Sequence, residues 1–166
     1  MSANSRVMRS LFWVLLVLVG CKPAHKESDR PANLILGLKL ERFGRDGSKE
    51  NLEAALNALR TSNLFIAVKP NPNGGGGQAA IRVEPKQGQV LYAFLEEPPA
   101  ATWWGPVEGL VIQQTAAPRI LELAAFEQAD ELIIDPQLPD RSLVIPRDNY
   151  APITKAWANA GSGTLH

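Results

Sequence analysis

Residues 48–68, Ser-Lys-Glu-Asn-Leu-Glu-Ala-Ala-Leu-Asn-Ala-Leu-Arg-Thr-Ser-Asn-Leu-Phe-Ile-Ala-Val, contain the pattern that decides the fold. Ser48 is a residue type that caps helix N-termini, and the apolar residues after it recur at i, i+3, i+4 and i+7. These apolar positions are Leu52, Ala55, Leu56 and Leu59. Residues 64–68 then form a continuous apolar run rich in strand formers. The stretch predicts an amphipathic helix that leads directly into a buried strand.

Further elements are predicted on both sides of this unit. Residues 33–43 match strand alternation and helical spacing at once, and we favour a helix there. Residues 81–95 predict a hairpin, because two apolar runs flank turn-forming residues. The remaining predictions are a short element that contains Trp103 and Trp104 and ends at Gly105-Pro106, a strand at 109–113, a helix beginning near Pro118, strands at 132–134 and 143–145, and a helix carrying Tyr150, Ile153 and Trp157.

Helices and short strands that interleave along a chain are typical of an α+β domain. We expect a single domain with one mixed sheet of five or six short strands and three or four helices. The order of the elements predicts that the helices cover one side of the sheet. The length of the chain suffices for one core of that kind.

The amino-terminal segment has the composition of a secretory signal. Its only charges are Arg6 and Arg9, and the apolar run that follows, residues 11–19, is too short to span a bilayer, which takes about 20 helical residues. The run ends near Cys21, the single cysteine of the chain. Residues 18–21, Leu-Val-Gly-Cys, resemble the lipobox of bacterial lipoproteins. That resemblance implies cleavage between Gly20 and Cys21 and lipid on the cysteine sulfur and the new amino terminus.

These features divide the chain into four predicted parts. The parts are a signal peptide at 1–20, a lipidated flexible tether at 21–32, the α+β domain at 33–158 and a flexible tail at 159–166. Acyl chains on Cys21 are the expected link to a membrane. Lys22 is not the Asp associated with retention at the inner membrane of Gram-negative bacteria. The resemblance to their lipoproteins therefore implies the periplasmic face of the outer membrane.

Charge and cysteine content exclude several classes of function. Without residues 1–20 the chain carries 15 basic and 17 acidic side chains, a formal charge of −2. Nucleic-acid binding depends on clustered Lys and Arg, so we predict no nucleic-acid partner. With Cys21 as the single cysteine, an intramolecular disulfide and a thiolate metal site are both excluded.

The residues that most often carry catalysis are poorly placed. His25 falls in the predicted tether and His166 is the last residue, so neither has a scaffold that could hold it. The glycines at 74–77 lack the Lys and Ser or Thr of a phosphate-binding loop. We predict no catalytic residue, no cofactor and no metal site.

Acidic residues supply the remaining candidates for catalysis. These are the pairs Glu96 and Glu97, Asp130 and Glu131, and Asp135 and Asp140. Asp135 and Asp140 bracket a turn with two prolines, where Asp ordinarily caps its own backbone. Adjacent residues of a strand point apart, which argues against Glu96 and Glu97 as a catalytic pair. A structural role is favoured for all six.

Trp103 and Trp104 are the best candidates for a recognition surface. An exposed Trp is costly unless a partner covers it, and Trp is enriched at binding hot spots. We expect at least one of the two to be buried in the core and the other to lie at a rim where a partner docks.

The order of segments from about residue 49 to 150 is similar to the amino-terminal domain of the SseB family, named for an enhanced-serine-sensitivity phenotype. The similarity lies in the helix and strand at 52–68, the motif Ile-Leu-Glu-Leu-Ala at 120–124, and the strand Glu-Leu-Ile-Ile-Asp-Pro at 131–136. It implies an α+β domain without established enzymatic activity, and it transfers no catalytic residue.

Three functional hypotheses follow. The leading one is a lipid-anchored, non-enzymatic domain of the cell envelope that binds a protein partner. The second is a small-ligand sensor, for an amino acid, with Trp103 and Trp104 lining a cleft. The third is a carboxylate-dependent hydrolase acting on envelope glycans.

Overall fold

The computed structural model describes residues 31–73 and 77–161. The predicted signal peptide, Cys21 and the tether up to residue 30 lie outside the described residues, as do residues 74–76 and 162–166.

Five α-helices and seven strands lie in the described part of the chain. The helices are α1 (Ala32–Asp46), α2 (Lys49–Arg60), α3 (Glu97–Trp104), α4 (Ala117–Phe126) and α5 (Tyr150–Gly161). The strands are β1 (Asn63–Lys69), β2 (Gln78–Ala79), β3 (Ile81–Glu84), β4 (Gly88–Phe94), β5 (Val111–Ala116), β6 (Glu131–Ile134) and β7 (Leu143–Pro146).

The predicted α+β fold, single domain and mixed sheet are confirmed, but the predicted numbers of strands and helices are too low. The additional strand is β2, a two-residue segment that carries no periodic signal. Helix α5 continues to Gly161, three residues into the predicted tail. Helix α1 begins at Ala32, the last residue of the predicted tether.

The unit predicted from residues 48–68 forms as expected. Ser48 is the N-cap of α2, and its hydroxyl accepts a hydrogen bond from the backbone N–H of Asn51 at 3.3 Å. Helix α2 turns its apolar residues, Ala55 and Leu59 among them, into the core. The chain then enters β1 after two residues.

The strands form one mixed sheet in the order β5–β1–β4–β6–β7. Strand β1 is antiparallel to β5 over six residue pairs, whereas β4 and β6 are parallel neighbours. Strands β2 and β3 lie between β1 and β4 at one end of the sheet. Of the two, β2 pairs with β1 and β3 pairs with β4. The sheet is therefore one strand wider at that end.

Predicted strand 109–113 is displaced in the structure to Val111–Ala116. Gly109 has a φ of +78° and belongs to the preceding turn. The pairing of β5 with β1 continues to Asn63 opposite Ala116, so tertiary pairing rather than local sequence sets where β5 ends.

Apolar side chains cover both faces of the sheet. The larger core joins one face to α1, α2, α4 and α5 and includes Leu36, Leu59, Leu64, Leu91, Ile120, Leu132 and Trp157. A second core on the other face contains Val90, Tyr92, Phe94, Ala100 and Ile133. Ala100 comes from α3, so the expectation that helices cover one side is wrong. The cause is β4, whose continuous apolar run buries residues on both faces.

Two close approaches fix the loops at opposite ends of the sheet. At Gly44 in α1, an added Cβ atom would overlap the carbonyl oxygen of Asp140, so the helix backbone and the loop after β6 touch. Gly88, with a φ of +79°, is the first residue of β4, and a Cβ atom there would overlap the carboxylate of Asp130. Asp130 accepts a hydrogen bond from the N–H of Gln89 at 2.9 Å and pairs with Arg147 at 2.9 Å.

Candidate functional site

The predicted lipid-attachment and cleavage residues, Cys21 and Gly20, lie outside the described residues, as do His25 and His166. The structure bears on two other regions that the sequence singled out. One surrounds Trp103 and Trp104, and the other surrounds the acidic residues near Asp135.

Helix α3 positions the two tryptophans. Pro98 and Pro99 lie in its first turn, where a missing N–H costs nothing. Trp103 and Trp104 are its last two residues, and Gly105 follows with a φ of +64°. Helix α3 lies over the second face of the sheet, against β4.

Both tryptophan rings pack around Tyr92 of β4. The ring centroid of Trp103 lies 5.2 Å from that of Tyr92 and 6.2 Å from that of Phe94. The ring of Trp104 meets Tyr92 edge-on at 6.4 Å. The guanidinium of Arg82 lies 5.8 Å from the Trp104 centroid, within the range of a cation–π contact. We call Arg82, Tyr92, Trp103 and Trp104 the tryptophan surface.

Both Trp103 and Trp104 are half-buried, which corrects the expectation that one is fully buried and the other at a rim. They are adjacent residues at the end of α3, the short helix that packs on the second face of the sheet. Neither of them therefore enters the core completely. Both indole Nε1 atoms are buried and have no acceptor within residues 31–73 and 77–161. The partly exposed ring surfaces are what the pair offers to other molecules.

Tyr92 is linked to two charged residues of β3. Its hydroxyl donates a hydrogen bond to Glu84 Oε1 at 3.0 Å, and Glu84 pairs with Arg82 at 3.9 Å. Burial, followed by the hydrogen bond to Glu84 and the charge of Glu84, raises the pKa of Tyr92 to about 12. Burial also raises the pKa of Tyr150, the other tyrosine.

A measurable consequence is late ionisation of both tyrosines. Their folded-state pKa values lie above the unfolded value of about 10. The stability that neutral tyrosine contributes is thus complete below pH 10 and is lost as the pH rises through 12. In an ultraviolet titration, we expect the folded chain to show little phenolate at pH 11 and the denatured chain to show both.

The Glu84→Gln variant is the control for this titration. It removes the acceptor charge beside Tyr92 and should lower the pKa of Tyr92, whereas Tyr150 should keep its raised pKa. A folded chain in which both phenols ionise near pH 10 would contradict the described packing.

Asp135 is the one buried carboxylate of the acidic candidates, with 1% exposure. It directly follows β6 and has a φ of +52°. This lies in the left-handed region, which Asp adopts more readily than most residues. Its Oδ1 accepts a hydrogen bond from the N–H of Leu95 at 3.0 Å. Its Oδ2 pairs with Nη2 of Arg141 at 2.7 Å. Asp135 thus ties the loop after β6 to the end of β4 through one hydrogen bond and one ion pair.

A groove runs along α1 beside this ion pair. Two cavities of about 560 and 230 Å³ share Glu41 and Arg141 in their linings. We call them together the Arg141 groove. Its other lining residues are Asn33, Leu34, Gly37, Leu38, Gly44, Arg45, Leu95, Glu96, Leu138, Pro139 and Asp140. It lies at the carboxyl ends of the parallel strands β4 and β6, where α/β proteins commonly bind ligands.

The six acidic candidates are distributed unevenly, and Asp130 and Glu131 lie at the start of β6, away from this groove. Asp140 and Glu96 are exposed and line it, and Asp135 lies buried beside it. Glu97 begins α3. The sequence identified these residues individually but missed Arg141. Arg141 follows Asp135 by six residues across a proline-rich turn, and this spacing matches no sequence motif that would indicate a functional arginine.

Within the described ranges, no group of three or more His, Cys, Asp or Glu side chains could hold a metal ion. In the same ranges, no helix is both long and apolar enough to cross a bilayer. No protein-family model matches the chain, and no characterised protein matches it significantly.

Proposed function

We propose that this chain is a lipid-anchored, non-enzymatic domain of the cell envelope that binds a protein partner through the tryptophan surface. The lipid would be attached at Cys21, after cleavage behind Gly20, and the protein would face the periplasm from the outer membrane. The lipobox resemblance and Lys22 support this location.

The composition of the tryptophan surface is the observation that carries the binding proposal. Trp, Tyr and Arg are the three residue types most enriched among interface hot spots, and all three meet within a few ångströms here. Trp103 and Trp104 remain partly exposed although their rings pack against Tyr92 and, for Trp103, Phe94. Rigid aromatic rings lose little conformational entropy on binding, which favours them as anchors.

The proposal is tested by substitution at Trp104. We expect Trp104→Ala to weaken the complex by about 2 kcal/mol or more, which corresponds to a roughly thirtyfold higher dissociation constant. Trp104 is preferred to Trp103, because Trp103 also contacts Phe94 and its loss would disturb the second core. Quantitative crosslinking in intact cells identifies the partner. The dissociation constant of the purified complex is then measured for the wild type and the variant.

Phe126→Ala is the matched control, since Phe126 is an aromatic residue with 77% exposure on α4, away from the tryptophan surface. It should leave the complex unchanged. Equal complex formation by wild type, Trp104→Ala and Arg82→Ala would refute the tryptophan surface as the binding site. Thermal unfolding of each variant separates loss of binding from loss of fold.

A further inference from the structure

The guanidinium of Arg141 is held in place but is not saturated with acceptors. Nη2 pairs with Asp135, and the whole side chain is 21% exposed. Its Nε is buried, and no described residue accepts a hydrogen bond from it. Buried donors nearly always have an acceptor, and a guanidinium has five N–H donors arranged to match a carboxylate. Arg141 therefore retains capacity for an additional acceptor.

Gly37 keeps the space beside this guanidinium open. A Cβ atom at Gly37 would lie 3.5 Å from Nη1 of Arg141 and 3.5 Å from a methyl carbon of Leu95. Both are ordinary van der Waals contacts, so the fold does not require glycine at this position. The absence of a side chain leaves Arg141 accessible from the smaller cavity of the groove.

Charge distinguishes the kind of ligand that the groove accepts. Arg141 is already neutralised by Asp135, and Arg45 lies 3.8 Å from Glu41. The other charged lining residues, Glu96 and Asp140, are both acidic, and no ion pair joins either to another described residue. A simple anion would meet net negative charge here. A ligand that offers an acceptor to Arg141 must also bring a positive group.

We propose that the Arg141 groove binds a small zwitterion, with a carboxylate on Arg141 and an ammonium group facing the acidic lining. The cavities of about 560 and 230 Å³ are in the size range of small-molecule sites. Asp135 holds the guanidinium of Arg141 beside the groove through its ion pair at 2.7 Å. A free amino acid and a short peptide with free termini share this chemistry. The inference depends neither on the lipid nor on a protein partner.

The test is calorimetric titration of the full-length chain in detergent with four probes. Alanine carries both charged groups, alaninamide lacks the carboxylate and N-acetylalanine lacks the ammonium group. Dialanine separates the ends of a short peptide from a single amino acid. We expect alanine or dialanine to bind saturably with a dissociation constant of about 1 mM or tighter. Both truncated analogues should bind at least tenfold more weakly.

The Gly37→Ala variant localises the binding. Its methyl group enters the space beside Arg141, so we expect at least a tenfold loss of affinity, whereas the melting temperature should be kept or raised, because alanine favours a helix over glycine. Glu53→Gln on α2, which is outside the groove lining, should bind as wild type.

Each alternative outcome overturns the inference. Tight binding of alaninamide would mean that the groove does not recognise the carboxylate. Tight binding of N-acetylalanine would mean that it does not recognise the ammonium group. Binding that Gly37→Ala leaves unchanged would place the ligand elsewhere. No heat from alanine or dialanine at ten times the expected dissociation constant would mean that the groove takes no zwitterion of this class.

Discussion

The Cys21→Ser variant is expected to remain an uncleaved precursor that carries no lipid. Lipid attachment needs the sulfur of Cys21, and the chain has no other cysteine that could replace it. Mass spectrometry of the wild-type protein from its native host should show a chain that begins at an acylated Cys21 and has lost residues 1–20. The variant should begin at Met1, or at Ser2 if the initiator methionine is removed, and should keep the whole apolar run at 11–19.

Separation into detergent and aqueous phases gives an independent measurement of the same effect. We expect the wild-type chain in the detergent phase at any salt concentration, because the energy of inserting acyl chains is hydrophobic rather than ionic. The Lys22→Ala variant is the control, since it removes the adjacent charge and should keep the lipid. Wild-type material with an intact amino terminus and a free thiol would refute the anchor.

The second large effect is expected at Asp135. The Asp135→Ala variant leaves the mostly buried Arg141 without its partner and the N–H of Leu95 without an acceptor. We expect it to lower the free energy of unfolding by about 3 kcal/mol, a large share of the stability of a single domain. Denaturant unfolding followed by circular dichroism measures the change.

Two further variants make the Asp135 result interpretable. Asp140→Ala alters an exposed carboxylate five residues away and should change stability by no more than about 0.5 kcal/mol. Asp135→Ala combined with Arg141→Met removes both charges and should recover part of the lost stability, because it leaves no unpaired charge. If Asp135→Ala is as stable as wild type, the structural role is wrong, and the hydrolase hypothesis regains a candidate residue.

The elements of this fold that could be predicted from the sequence are those set by interactions between residues close together in the chain. The helix and strand at 48–68 and the hairpin at 81–95 could be predicted, because apolar periodicity and turn residues are local signals. The run at 90–95 indicated a strand, but it could not indicate that apolar side chains would cover both faces of that strand. That arrangement requires α3, which meets β4 through tertiary packing.

The candidate sites show the same limit. Its place in a proline-rich turn predicts that Asp135 caps local backbone, but its partners are Leu95, 40 residues away, and Arg141. Residue type alone marks Trp103 and Trp104 as candidates, whereas their partial burial follows from the packing of α3 against β4. Residue type thus identified candidates, and only the tertiary structure assigned their surroundings.

The short pairing of β2 with β1 has a practical consequence for the insertion of foreign sequence into this chain. The pairing of Lys69 with Gln78 holds together the two ends of the connection that contains the four glycines. The entropy of closing such a connection grows only with the logarithm of its length, about 0.6 kcal/mol for each doubling. A fluorescent reporter or an epitope inserted among these glycines should therefore cost the protein little.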